Sequence, residues 1–102
     1  MDKPVILTEE EIREKLKALP GWEFANDKIS KQYEFKDFLD SFGFVSGLVS
    51  FFESMDHHPD IHIFYSKVLF ELQRFDIGGK VTDRDFIVAT EIERQFNERK
   101  NV

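Results

Sequence analysis

The spacing of apolar residues along the chain predicts three amphipathic helices. The first is predicted over 9–19, because Thr8 and Glu11 fit a capping box in which a hydroxyl and a carboxylate satisfy backbone donors reciprocally. The second is predicted over 36–55 and the third over 83–98. The apolar positions that define these spans recur every three or four residues and are Ile12, Leu16, Leu19, Phe38, Phe42, Val45, Val49, Phe52, Phe86, Ala89 and Phe96.

Four shorter segments have the composition and alternation of β-strands. Positions 22–24 and 29–35 flank a polar turn and predict one hairpin. Positions 61–65 and 67–75 predict a second hairpin, with alternate apolar residues directed to one face. The chain therefore carries its strands in two local pairs, each followed by a helix.

A two-residue turn at 66–67 would set the register of the second hairpin. His62 then lies opposite Glu71, and the two are expected to form a solvated cross-strand pair. The same register places Phe75 opposite His58.

The order of these elements, α-β-β-α-β-β-α, predicts an α+β fold. We expect a four-stranded antiparallel sheet with three helices packed on one face. The chain has 102 residues without an internal repeat or linker, so a single domain over 1–102 is expected.

Composition narrows the classes of function. The formal net charge is −6, which argues against direct binding to nucleic-acid phosphates. There is no cysteine, which excludes thiolate chemistry and suits the cytoplasm. No stretch of about 18 apolar residues predicts a membrane span, and the first residues lack the pattern of a signal peptide.

Two glycines in the second predicted helix, Gly43 and Gly47, reduce its intrinsic helix propensity. Their four-residue spacing permits close approach of another backbone. Tight packing of this helix on the sheet and a contact between subunits are both compatible with the pattern.

All three histidines lie between positions 57 and 62, and two of them are adjacent. Histidine exchanges protons near neutral pH, so His57 and His58 are candidates for acid–base catalysis. Metal binding is a second interpretation, although Pro59 prevents a helical pair of His58 with His62. Surface histidines at the end of a helix, without catalytic function, are the third.

The order of motifs resembles that of the pterin-4a-carbinolamine dehydratases. The match runs from about Leu19 to Phe96 and is most specific at the His-His-Pro core, with an acidic residue four positions before it. The motifs that carry it are Gly21-Trp22, Phe35-Lys36-Asp37-Phe38, Phe42-Gly43-Phe44, Glu53-x-x-Asp56-His57-His58-Pro59, Tyr65-x-Lys67-Val68 and Asp83-Arg84-Asp85.

The resemblance implies dehydration of a 4a-hydroxytetrahydropterin to the quinonoid dihydropterin, without a metal or a bound cofactor. His57 and His58 would transfer protons. It also implies a homodimer or homotetramer, and a related animal protein serves as a dimerisation cofactor of a homeodomain transcription factor. The side chains expected to bind or orient the pterin, or to line its pocket, are Glu53, Asp56, Asp85, Pro59, Trp22, Arg74, Phe75 and Asp76.

The chain departs from the family pattern at Phe75, where relatives have a third histidine or sometimes a tryptophan. Phenylalanine can stack on a pterin ring but cannot transfer a proton. The departure supports a rival hypothesis, a non-catalytic member of the family that acts as an assembly or dimerisation factor.

Overall fold

A computed structural model describes residues 4–73 and 79–100. The predicted order of elements is confirmed. In chain order they are α1 Glu9–Leu16, β1 Glu23–Ala25, β2 Lys28–Glu34, α2 Phe38–Met55, β3 Asp60–Phe64, β4 Lys67–Leu72 and α3 Asp83–Lys100. None of the helices in the described part of the chain is long and apolar enough to cross a membrane.

The helix boundaries follow from local hydrogen bonds. The capping box of α1 forms as predicted, with Glu11 N–H donating to Thr8 Oγ1 (3.1 Å) and Thr8 N–H donating to Glu11 Oε1 (2.9 Å). The helix ends three residues earlier than predicted, because the N–H groups that follow bond to carbonyls three residues back and tighten the last turn. At α2, the Asp37 side chain accepts from Asp40 N–H (2.8 Å), so this helix begins at Phe38.

The four strands form one antiparallel sheet in the order β1-β2-β4-β3. One face is covered by the helices. The core on that face contains side chains that are almost fully excluded from solvent, among them Ile29, Tyr33, Leu48, Val68, Phe70, Leu72, Val88, Ala89 and Ile92. The other face is open and carries Ser30, Gln32, His62, Phe64, Leu69 and Glu71.

The predicted register of the second hairpin is wrong by two residues. Phe64 pairs with Lys67, so the turn lies at 65–66 rather than 66–67. Tyr65 adopts a φ of +56°, a left-handed conformation that glycine, asparagine or aspartate usually occupy at this type of turn. The sequence rule missed the turn because an aromatic residue stands where the rule expects one of those types.

Of the two interpretations of the glycines in α2, tight packing of these positions on the sheet is contradicted. A Cβ atom built at Gly43 or Gly47 would meet nothing within 4 Å. Both positions face outward, together with Leu39 and Phe42. The helix is apolar around much of its circumference, so periodicity alone did not separate the core-facing side from the outward side.

A buried polar network joins the sheet to α3 beneath the helices. Trp22 Nε1–H donates to the Tyr33 hydroxyl (3.2 Å), which donates to Glu93 Oε1 (2.5 Å), and Lys31 Nζ donates to the same oxygen (2.9 Å). Burial and the Glu93 carboxylate raise the pKa of Tyr33. Burial alone would raise the pKa of Glu93, but the donors Tyr33 and Lys31 outweigh it and the pKa lies below its ordinary value.

This network predicts a pH-dependent contribution of Glu93 to stability. Because the pKa is lower in the folded than in the unfolded protein, the ionised carboxylate stabilises the fold above the unfolded pKa, and the effect is lost as pH falls through the folded pKa. We expect Glu93→Gln to lower the free energy of unfolding by about 1–3 kcal/mol at pH 7. The difference from wild type should shrink below the ordinary glutamate pKa in urea titrations. Glu23→Gln, at an exposed position on β1, should change little at either pH, and an equal loss in both variants would contradict the assignment.

Candidate active site

The two adjacent histidines follow the end of α2. Asp56 ends this helix in a left-handed conformation (φ 49°, ψ 43°), and its N–H group donates to the Glu53 carbonyl. The next N–H group, that of His57, donates back to the Phe52 carbonyl (3.3 Å). These bonds satisfy carbonyls of the last helical turn and fix the direction in which the chain leaves the helix. Pro59 is buried just before β3 begins.

The two imidazoles occupy different environments. His57 is 3% exposed, whereas the side chain of His58 is 53% exposed. Adjacent residues outside a helix direct their side chains differently, so the pair spans the boundary between protein interior and surface. One imidazole is therefore enclosed by the protein, and the other is in contact with solvent.

His57 Nε2 is hydrogen-bonded to Asp85 Oδ1, which lies 28 residues away in the sequence and is fully buried. The second carboxylate oxygen of Asp85 accepts the N–H of Thr82 (2.8 Å). Because an ionised carboxylate only accepts hydrogen bonds, we expect His57 Nε2 to be the donor of this pair. In that tautomer Nδ1 of the neutral ring is the proton-accepting nitrogen.

His58 Nε2 is hydrogen-bonded to Glu53 Oε2 on the surface, and 68% of the Glu53 side chain is exposed. Solvent screens such a pair, so its contribution to stability is small. The bond instead orients the His58 ring, because Glu53 lies on the last turn of α2 beside it.

Three further residues predicted for the site have bonds or burial within the protein itself. Asp85 is fully buried, and its two carboxylate oxygens bond His57 and the Thr82 N–H; its pterin-binding role stays a prediction. Trp22 is 5% exposed and bonds Tyr33 in the core. Asp56 is exposed, and its backbone ends α2. The pterin-binding roles of Asp56, Pro59 and Trp22 stay predictions.

Arg74, Phe75 and Asp76 lie outside the described residues. The expectation that Phe75 lies opposite His58 depended on the hairpin register that the structure corrects. In the observed register Asp60, not His62, is the partner of Glu71, because the turn begins one residue earlier. The importance of Phe75 therefore depends on the family pattern alone.

His62 forms the solvated pair that was predicted for it, although its cross-strand partner is Leu69. Its Nε2 bonds Glu71 Oε1 diagonally (3.0 Å), and the ring stacks on Phe64 with 12° between the planes. Lys28 approaches the other oxygen of Glu71 (3.1 Å). The hydrogen bonds from Lys28 and His62 lower the pKa of Glu71, with Lys28 the larger influence.

A metal ion has no evident set of ligands here. Among the described residues, no group of three or more His, Asp and Glu side chains is placed to hold one. Each imidazole instead bonds one carboxylate, from Asp85, Glu53 or Glu71. Metal-independent chemistry stays a prediction.

Thr82 is the site residue that sequence reasoning did not assign. Thr82 directly precedes α3, and its N–H donates to the Asp85 carboxylate on the first turn of that helix. The second bond of Asp85, to His57, leaves no local pattern in the sequence because the partners come from different elements.

Comparison with known proteins identifies the family. The sequence profile described as pterin 4 alpha carbinolamine dehydratase matches residues 5–95. The chain belongs to this family.

Individual relatives and a solved structure agree with this assignment. A protein of Sulfolobus acidocaldarius, named "Putative pterin-4-alpha-carbinolamine dehydratase", is 39% identical over 88 residues, covering 86% of this chain and 96% of the relative. A Picosynechococcus protein of the same name is 42% identical over 83 residues, covering 81% of this chain and 89% of the relative. The crystal structure of a transcriptional coactivator/pterin dehydratase from Brucella melitensis has a TM-score of 0.81 and 34% identity, covering 87% of this chain and 96% of that one.

Proposed function

We propose that this protein dehydrates a 4a-hydroxytetrahydropterin to the quinonoid dihydropterin, without a metal or a bound cofactor. The observation that carries the proposal is the juxtaposition of a buried, carboxylate-held imidazole and an exposed imidazole on consecutive residues. Family membership supplies the substrate class. The absence of cysteine suits a reducing compartment, so we place this activity in the cytoplasm.

The reaction needs two proton transfers and no redox step. The bond between C4a and the hydroxyl oxygen breaks, and the oxygen takes the bonding electron pair. An acid supplies a proton to that oxygen, which leaves as water, and a base removes a proton from a ring nitrogen of the pterin. The electron pair from that nitrogen forms the new double bond, so atoms and electrons balance.

His57 is the better candidate for the base. Asp85 holds its Nε2–H, so the neutral ring presents Nδ1 as a fixed acceptor. His58 is the better candidate for the acid. Its ring is exposed, so after it has given up a proton it can take another directly from water before the next turnover. Glu53 orients His58 and, with Asp56, offers carboxylate oxygens to the guanidine-like edge of the pterin.

A dehydration assay on purified protein tests this function. We expect catalysis above the spontaneous rate, and a loss of about 10²–10⁴-fold in kcat for His57→Ala and for His58→Ala, since each removes a positioned acid–base group. His62→Ala is the matched control, because this histidine also bonds a carboxylate but lies on the open sheet face, and it should leave kcat unchanged. Wild-type protein without catalysis would reject the enzyme and favour the alternative below.

The alternative function is that of a non-catalytic assembly factor, and one structural observation favours it. The outward side of α2 exposes Phe38, Leu39, Phe42 and Val49 around the two open glycine positions. Several exposed apolar side chains on one side of a helix are typical of a protein contact. The solved relative is named both a coactivator and a dehydratase.

We also propose that this outward face of α2 joins copies of the chain into a homodimer or homotetramer. A surface groove of about 540 Å³ runs along it and is lined in part by Leu39, Gly43, Gly47 and Arg99. The missing side chains at the glycines leave room for apolar side chains of a second α2. The same face repeated on two copies gives a self-complementary contact.

Light scattering on matched variants tests the oligomer. Wild-type protein should have a mass of two or four times the 12.1 kDa of one chain. Phe42→Asp should dissociate it, because Phe42 lies on the proposed face, whereas Phe64→Asp should not. The two phenylalanines are 53% and 55% exposed, so the control removes an equivalent apolar surface from the open sheet face. A wild-type monomer at micromolar concentration, or dissociation only by Phe64→Asp, would contradict the proposal.

A further inference from the structure

The segment that precedes α1 crosses the start of α3 as a short extended strap, which we define as residues 5–7. Leu7 N–H donates to the Val81 carbonyl (3.0 Å), and Asp83 N–H donates to the Val5 carbonyl (3.1 Å). Ile6 and Thr82 form the antiparallel bridge between these bonds. The strap thus pairs with residues 81–83, the last of which is the first residue of α3.

Side chains fix both ends of the strap. At one end, Val5 N–H donates to Asp83 Oδ1 (2.8 Å). At the other end, the capping box of Thr8 and Glu11 joins the strap to α1. Val5 and Ile6 are exposed, so hydrogen bonds rather than side-chain burial hold this part of the strap in place.

Residues 81–83 are held from both edges, because successive residues of an extended segment direct their hydrogen-bonding groups to opposite sides. The Val81 carbonyl and the Asp83 N–H face the strap. The Thr82 N–H between them faces the other way and donates to Asp85 Oδ2 (2.8 Å). Since Asp85 Oδ1 bonds His57, the strap lies a short chain of hydrogen bonds away from the imidazole.

We propose that the strap is a positioning element for His57, and that Asp83 is its anchoring side chain. The strap fixes residues 81–83, the Thr82 N–H then fixes one oxygen of Asp85, and the other oxygen fixes the His57 ring. Neither the strap nor Asp83 contacts the imidazole in the described structure, so their influence is indirect. The consequence for turnover rests on the proposed dehydratase function, whereas the consequence for the His57 ring does not.

Asp83 offers a matched pair of variants. Asp83→Ala and Asp83→Asn both remove the negative charge at the start of α3, but only asparagine keeps an oxygen that accepts the Val5 N–H. A second pair acts from the strap itself. Val5→Pro removes the donor of this bond, and Val5→Ala keeps it while shortening the same exposed side chain.

The primary measurement is the ¹⁵N-edited spectrum of the full-length protein labelled at histidine, which has only three imidazoles. We expect Asp83→Ala and Val5→Pro to abolish or markedly broaden the Nε2–H signal of His57. Asp83→Asn and Val5→Ala should retain it. The signals of His58 and His62 should stay unchanged in all four variants, because their carboxylate partners lie elsewhere.

Turnover provides the second measurement. We expect the two disruptive variants to lower kcat by about 10-fold to 10²-fold with little change in KM, since small misplacements of a reacting group have effects of that size.

An unchanged His57 signal in both disruptive variants would overturn the proposal. Equal effects of Asp83→Ala and Asp83→Asn would also overturn it, because charge rather than the hydrogen bond would then be responsible. A wild-type protein without turnover would reject the dehydratase function and leave the spectroscopic test intact.

Discussion

The bond between buried His57 and buried Asp85 connects the end of α2 with the start of α3. Polar groups removed from water destabilise a fold unless they are paired, and leaving a buried hydrogen-bonding group without its partner costs about 1–3 kcal/mol. This contact therefore constrains the backbone on both sides. The second carboxylate oxygen of Asp85 accepts the Thr82 N–H, so both oxygens of this buried group have a donor.

The same constraint explains how consecutive histidines come to differ. The left-handed Asp56 turns the chain out of α2, and Pro59 is buried where the chain enters β3. Between these two points His57 is directed to Asp85 in the interior, and His58 is directed to Glu53 at the surface. Two imidazoles with different access to solvent thus arise from one short segment.

Local sequence patterns predicted the order of elements and the caps, because those depend on residues within one turn of each other. The capping box of Thr8 and Glu11 is an example. The predicted register of the second hairpin was wrong because Tyr65 adopts a positive φ, which is unusual for an aromatic residue in such a turn. The side of α2 on which the glycines lie could not be read from the sequence, because apolar residues occur on both its core side and its outward side.

The sequence predicted which residues belong to the candidate site but not which of them bond to each other. Clustering of the histidines and the family resemblance pointed to His57, His58, Glu53 and Asp85. The pairing of each histidine with its carboxylate depends on tertiary packing. For His57 and Asp85 the partners are 28 residues apart, so no local periodicity could reveal their contact. The strap of residues 5–7 was missed for the same reason.

The most direct test of this account is the tautomer of neutral His57, measured from the long-range ¹H–¹⁵N correlations of its imidazole ring. Because the Asp85 carboxylate accepts from Nε2, the proton should reside on Nε2 and the lone pair on Nδ1. A neutral ring protonated on Nδ1 would contradict the account, since Asp85 would then not hold His57 in the form that accepts a proton at Nδ1.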